Sequence, residues 1–203
     1  MKKSLLIFIA LLLIMLSCNR EPFDDGLHTY PGLPNATESG LNTMGCLING
    51  VPWVANIEDP GFFWSLKNVE AFYGENRKGQ NDYDRYYLDI NCHKFEGKDA
   101  TLTNGYRIRE YVDIRLRPIR NFGNFDATKF DLLDIEYTKY NENEPNKLYI
   151  LDSLAPIHIN INYLDTIHNI VSGLFDFRLK RISDSKDTIR ITNGRFDANY
   201  WPK

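Results

Sequence analysis

The chain has 203 residues, 43% of them apolar, and a formal charge of −3. That length suits one domain with its own core. The mildly acidic balance argues against nucleic acid as a partner, because phosphate binding rests on clustered positive charge. The N-terminus has the three parts of a secretory signal in order: a basic start at Lys2 and Lys3, an unbroken apolar run over residues 5–16, and the small residue Ser17. Twelve apolar residues rise only about 18 Å as a helix, well short of a hydrocarbon core of about 30 Å, so the run suits a signal better than a permanent span. Cleavage would leave residues 18–203, and the loss of Lys2 and Lys3 takes the charge to −5.

The stretch Met15-Leu16-Ser17-Cys18 resembles the lipobox of bacterial lipoproteins, in which a small residue precedes the cysteine that becomes the new N-terminus. The family's usual leucine three places before the cysteine is Met15 here. The resemblance implies residues 1–17 as a signal peptide and a thioether-linked diacylglycerol on Cys18, with a further acyl chain on its amine in many species. One acyl chain gives marginal membrane attachment and two or more give stable anchoring, at about 0.8 kcal/mol per buried methylene. The implied partner is therefore a membrane, reached through the lipid rather than a basic patch. Asn19 is not the aspartate that holds lipoproteins at the inner membrane in well-studied Gram-negative species, which points to the outer membrane, with either face open.

Residues 18–42 are rich in Pro, Gly, Asn and acids with no apolar period, the composition of a flexible tether. Residues 43–203 then read as one all-β domain. Val112, Ile114 and Leu116 alternate with Asp113 and Arg115; Ile157, Ile159 and Ile161 with His158 and Asn160; Phe175, Phe177 and Leu179 with Asp176 and Arg178. A period of two puts each set on opposite faces of a strand. Strands are predicted over residues 46–48, 51–54, 63–73, 86–95, 106–119, 132–140, 147–151, 157–164, 170–179 and 188–192. Asn-Gly at 49–50, 104–105 and 193–194 suits tight hairpin turns, and Pro52 assigns its strand to an edge or a bulge. The expected architecture is a single antiparallel domain of about eight to ten strands, either a sandwich or a closed or partly closed barrel.

Two stretches carry a family likeness. Residues 33–50 (LPNATESGLNTMGCLING) with Trp53, and 172–177 with 189–197 (SGLFDF, IRITNGRFD), resemble a group of uncharacterised envelope lipoproteins of Bacteroidota. The resemblance implies an all-β envelope domain and brings no known activity, so it assigns no catalytic residue.

The chemistry-bearing motifs are few. The four histidines, His28, His93, His158 and His168, include no His-Glu-x-x-His pair, and there is no Cys-x-x-Cys, Gly-x-Ser-x-Gly or phosphate-cradling glycine loop. No metal or other cofactor is implied, and no catalytic residue is assigned. Asp82 and Asp84 fall short of a calcium loop. Once Cys18 is lipidated, Cys46 and Cys92 remain as an even pair; a disulfide between them and two buried free thiols are both open readings. Arg107, Arg109, Arg115, Arg117 and Arg120 form the densest basic run; the favoured reading is a solvated face countered by neighbouring Asp and Glu, and the other is a receiver for a sulfated or uronic sugar. Aromatic residues make up 13% of the chain; Trp64, Tyr86, Tyr87, Tyr137 and Trp201 are candidates to stack on a ligand, although strands also use aromatics for their cores. The narrowed set of ligand contacts is Trp64, Tyr87, Arg115 and Arg117. The sequence thus predicts a lipid-anchored, non-catalytic domain for binding or scaffolding, with a glycan or an envelope protein as candidate partners and no specific function assigned. A barrel holding a small apolar ligand and a glycan hydrolase are the alternatives.

Overall fold

The computed structural model describes residues 29–57, 67–75, 86–102, 105–117, 123–125 and 132–202. These hold no helix and twelve strands: β1 (Thr43–Ile48), β2 (Val51–Val54), β3 (Asn56–Ile57), β4 (Val69–Glu75), β5 (Tyr86–Lys98), β6 (Tyr106–Arg117), β7 (Gly123–Phe125), β8 (Leu132–Asn141), β9 (Glu144–Leu151), β10 (His158–Asp165), β11 (Ile170–Arg181) and β12 (Asp184–Pro202). All belong to one mostly antiparallel sheet. The ladders run β12–β4–β5–β6–β8–β9–β11 and return to β12, a ring of strands that fits a sandwich or a partly closed barrel. Two of these ladders, β12–β4 and β11–β9, have only three pairs each. The β12–β4 and β3–β5 ladders are parallel, which departs from the all-antiparallel expectation. The count also exceeds eight to ten, because β3 and β7 are short strands of two and three residues with no alternation to read.

Alternation explains which side of the sheet faces inward. Leu88, Ile90 and Cys92 of β5 meet Leu116, Ile114 and Val112 of β6 in register, and all six are almost fully buried. Phe175, Phe177 and Leu179 of β11, Ile159 and Ile161 of β10, and Ile191 and Phe196 of β12 join them in one continuous apolar cluster. Each such side chain contributes about 1.5–3 kcal/mol by leaving water. The inner face of the sheet is therefore lined by packed side chains. Pro52 lies on β2, which pairs only with β1 at the end of the sheet, where a missing N–H costs no ladder bond.

The three Asn-Gly pairs diverge. Asn49 and Gly50, at φ 51° and 81°, make the β1–β2 turn as expected. Asn104 lies outside the described residues. Asn193, at φ 52°, is instead a bulge inside β12. Both neighbours of β12 skip one of its residues there: Gly45 and Leu47 oppose Arg195 and Thr192, and Phe175 and Phe177 oppose Gly194 and Ile191. The extra residue bends the strand, so that β12 runs for 19 residues, far beyond the expected 188–192. It pairs with β1 over its middle and with β4 over its last three. Gly194 sits against the ring of Phe175, where an added Cβ would come within 2.2 Å.

The tether expected over residues 18–42 requires a correction. From Tyr30 onward the chain lies on the outer side of β1 and β12. Tyr30 packs under the guanidinium of Arg195 and Pro34 against Gly45. The Asp197 carboxylate accepts bonds from Thr37 Oγ1 and from the amides of Ser39, Gly40 and Leu41. Asn42 accepts from the Asn199 amide. Composition alone made this segment look like a linker because its partner is one buried carboxylate more than 150 positions away.

Candidate recognition face

The outer side of β4, β5, β6 and β8 gathers most of the chemistry. Period-two alternation on β6 turns Arg109, Tyr111, Asp113, Arg115 and Arg117 outward while Glu110, Val112, Ile114 and Leu116 turn inward. The registers with β4, β5 and β8 arrange the outward residues in rows about 7 Å apart along the strands. One row carries Asp89, Arg115 and Asp134; the next Glu70, Asn91, Asp113 and Glu136; the next His93, Tyr111 and Thr138; and the last Phe95, Arg109 and Tyr140.

The last two rows form a platform of rings. Tyr111 sits edge-on to His93 at 5.4 Å, to Phe95 at 5.4 Å and to Tyr140 at 5.8 Å, distances at which ring pairs attract beyond their buried area. Arg109 lies over Tyr140, 4.9 Å from its centroid, and bonds the Tyr111 hydroxyl. The His93 Nδ1 donates to the Lys67 carbonyl at 3.1 Å. Partial burial lowers the His93 pKa, opposed by Glu70 and by that bond.

The acidic row behaves differently. Burial raises Asp113 to about 6; Arg115 opposes the shift, and Glu136 and Asp134 add to it. Arg115 is held by Asp134 at 2.6 Å, and Arg117 lies over the ring of Tyr87 at 5.4 Å.

A second polar centre lies on the inner face, where β2, β6 and β8 approach one another. The carboxylate of Glu110, 5% exposed, accepts from Trp53 Nε1 at 2.7 Å, from Lys139 Nζ at 2.8 Å and from the Tyr137 hydroxyl. With three donors the acid is saturated, and its work is to tie the β1–β2 hairpin to the rest of the sheet. Burial, and then Glu110, drive the neighbouring Cys46 thiol far above its ordinary range.

Of the sequence-derived candidates, Tyr87, Arg115 and Arg117 do share the outer face. Cys18 and Trp64 lie outside the described residues, as do His28, Asp82, Asp84 and Arg120. Tyr137 points into the core, 6% exposed, and so is no ligand platform. Tyr86 stacks on Tyr73 at 6.2 Å, and Trp201 is exposed, with Lys67 Nζ 4.2 Å above its ring. Arg107 bridges Asp99 and Glu142. Cys46 and Cys92 are both buried and free, so the structure holds thiols and no bridge. His93 and His158 belong to β5 and β10, which are not neighbours, and they do not form a pair. Among the described residues no three His, Cys, Asp or Glu side chains converge on a metal position.

The ring platform and the Asp113–Glu136 pairing were missed from sequence. Tyr111 was legible, since it alternates in phase with Arg109 and Arg115. Tyr140 and Glu136 reach the same face only through the β6–β8 register, which no local pattern specifies.

Comparison with family models, with curated proteins and with solved structures finds no match to this chain.

Proposed function

We propose that this chain is a lipid-anchored protein of the cell envelope, most simply of the outer membrane, whose β domain binds a partner on the outer face of β4, β5, β6 and β8. The lipobox-like stretch ending at Cys18 supports the anchor. One observation carries the binding surface: the inner face is given over to a continuous apolar cluster, while the outer face presents half-buried rings beside a row of polar side chains. That contrast also weighs against a barrel built around a small apolar ligand, which needs an interior not already lined by packed side chains.

The anchor is tested by replacing Cys18 with Ala and washing membranes with carbonate. The variant leaves the membrane fraction and the parent stays; a variant that still sediments with membranes contradicts the anchor. The surface is tested by Tyr140→Ala in the lipidated protein, which should abolish partner binding without changing membrane fractionation.

A hydrolytic reading draws on one observation, that Asp113, raised to about 6, stands directly across from Glu136. A pair of carboxyl groups is what acid–base chemistry on a glycosidic bond requires. The binding reading accounts for the rings that the hydrolytic one leaves unused. Release of new reducing ends from a glycan, lost in Asp113→Asn, would favour the hydrolase.

A further inference from the structure

We infer that the outer face of β4, β5, β6 and β8 takes a neutral, hydroxyl-rich glycan; the inference rests on the binding-surface reading and names its ligand class. Of the two sequence readings of the basic run, the side-chain contacts favour the face countered by neighbouring acids over a site for an anionic sugar. Arg115 is bound to Asp134, Arg117 covers Tyr87, and Arg109 covers Tyr140 and bonds Tyr111. A sulfate or carboxylate ligand would have to break one of these contacts and approach a row that carries Glu70, Asp113 and Glu136.

The rings and the polar row complement each other for a sugar. Tyr111 is held edge to face with Tyr140 and with His93, and Arg109 lies over one face of Tyr140; the C–H face of a pyranose packs on the ring surface left beside it. The row about 7 Å along the strands supplies the carboxylates of Glu70 and Glu136 and the amide of Asn91. Glu70 acts on His93 and Glu136 on Arg115 through their charge, and carboxylate and amide groups of this kind bind hydroxyls.

Tyr, Phe and Arg side chains also suit the centre of a protein interface, so a protein partner is an outcome that the test has to separate from a glycan. The exposed large apolar residues Leu41, Val51, Leu154, Ile167, Ile182 and Trp201 all lie on other strands or on turns.

The test uses the mature lipidated protein in a non-glycosidic detergent, since alkyl glucosides would compete. Neutral probes are maltoheptaose, cellopentaose and tetra-N-acetylchitotetraose; polygalacturonate and heparin fragments are the anionic controls. Saturation-transfer NMR and calorimetry read binding to the parent and to Tyr140→Ala, Tyr140→Phe and Arg109→Ala. The expected result is binding of at least one neutral oligomer, weakened tenfold or more in Tyr140→Ala, retained in Tyr140→Phe, with no uptake of the anionic chains. Failure of all three neutral probes, or preference for an anionic chain, overturns the inference. Capture of an envelope protein through Tyr140 would leave the binding face standing and remove the glycan. Neutral-glycan binding indifferent to Tyr140 and Arg109 would remove the face itself.

Discussion

The amide of Gly40 donates to the carboxylate of Asp197 at 2.7 Å, joining residues 157 positions apart in sequence. With Thr37, Ser39 and Leu41 on the same carboxylate, this clamp fastens the stretch after the proposed anchor to β12, the longest strand of the sheet. The domain therefore begins several residues before β1, and its link to Cys18 is shorter by the docked length.

Removing that carboxylate leaves the buried Gly40 N–H and the part-buried amides of Ser39 and Leu41 without an acceptor. Asp197→Ala should destabilise the domain by about 3 kcal/mol and open the chain before residue 43 to proteases. Urea unfolding and limited proteolysis check both effects. A variant of unchanged stability, still protected before residue 43, would mean that the clamp is idle.

The bulge in β12 makes a paired prediction. Asn193→Gly should be tolerated within a few tenths of a kcal/mol, because φ of 52° suits glycine. Gly194→Ala should cost about 2–3 kcal/mol, because the new Cβ meets the Phe175 ring at 2.2 Å in a packed core. Equal effects of the two substitutions in thermal unfolding would contradict this account of the bend.

How far the fold could be read from sequence differs by element. Long alternating runs such as 106–117 and 170–181 marked their strands closely, because burying one face of a strand leaves a period that the residues must carry. The same dipeptide, Asn-Gly, made a turn at 49–50 and a bulge at 193–194. Locally the two differ little, since each only asks for a residue at positive φ. What decides is the neighbour: β12 is held on both sides, by β1 and β11, and cannot turn back. The recognition face was half legible, since Tyr87, Arg115 and Arg117 follow from alternation. The pairing of the arginines with Asp134, Tyr87 and Tyr140 depends on cross-strand register and on side-chain direction.

Asp113 gives a pH signature. Its carboxyl ionises at about 6 in the folded protein, above the ordinary 3.8. Between about pH 4 and 6 the folded chain thus binds more protons than the unfolded one, and stability falls as pH rises through that window. Asp113→Asn should be more stable than the parent at pH 7.5, by on the order of 1 kcal/mol once partial exposure is allowed for, and nearly equal at pH 4. Urea midpoints at the two pH values measure this; a gain of the same size at both would assign the effect to something other than ionisation.

Cys46 and Cys92 should resist alkylation. Burial raises both thiols, with Glu110 adding to Cys46 and Asp113 to Cys92, so little thiolate forms and little reagent enters. Iodoacetamide at pH 8 should leave both unmodified in the native protein and modify both in denaturant without reductant. Unreactive cysteines in denaturant, recovered only after reduction, would establish a disulfide instead.

The central claim, that the outer face of β4, β5, β6 and β8 is the surface the protein presents to its partner, is tested most directly by photo-crosslinking in intact cells. A benzophenone amino acid is placed either at Tyr140, on that face, or at Trp201, which is exposed on β12. The account expects a slow-migrating adduct, sensitive to periodate, from position 140 and none from 201. An adduct from 201 with none from 140 would place recognition elsewhere on the domain and contradict the account.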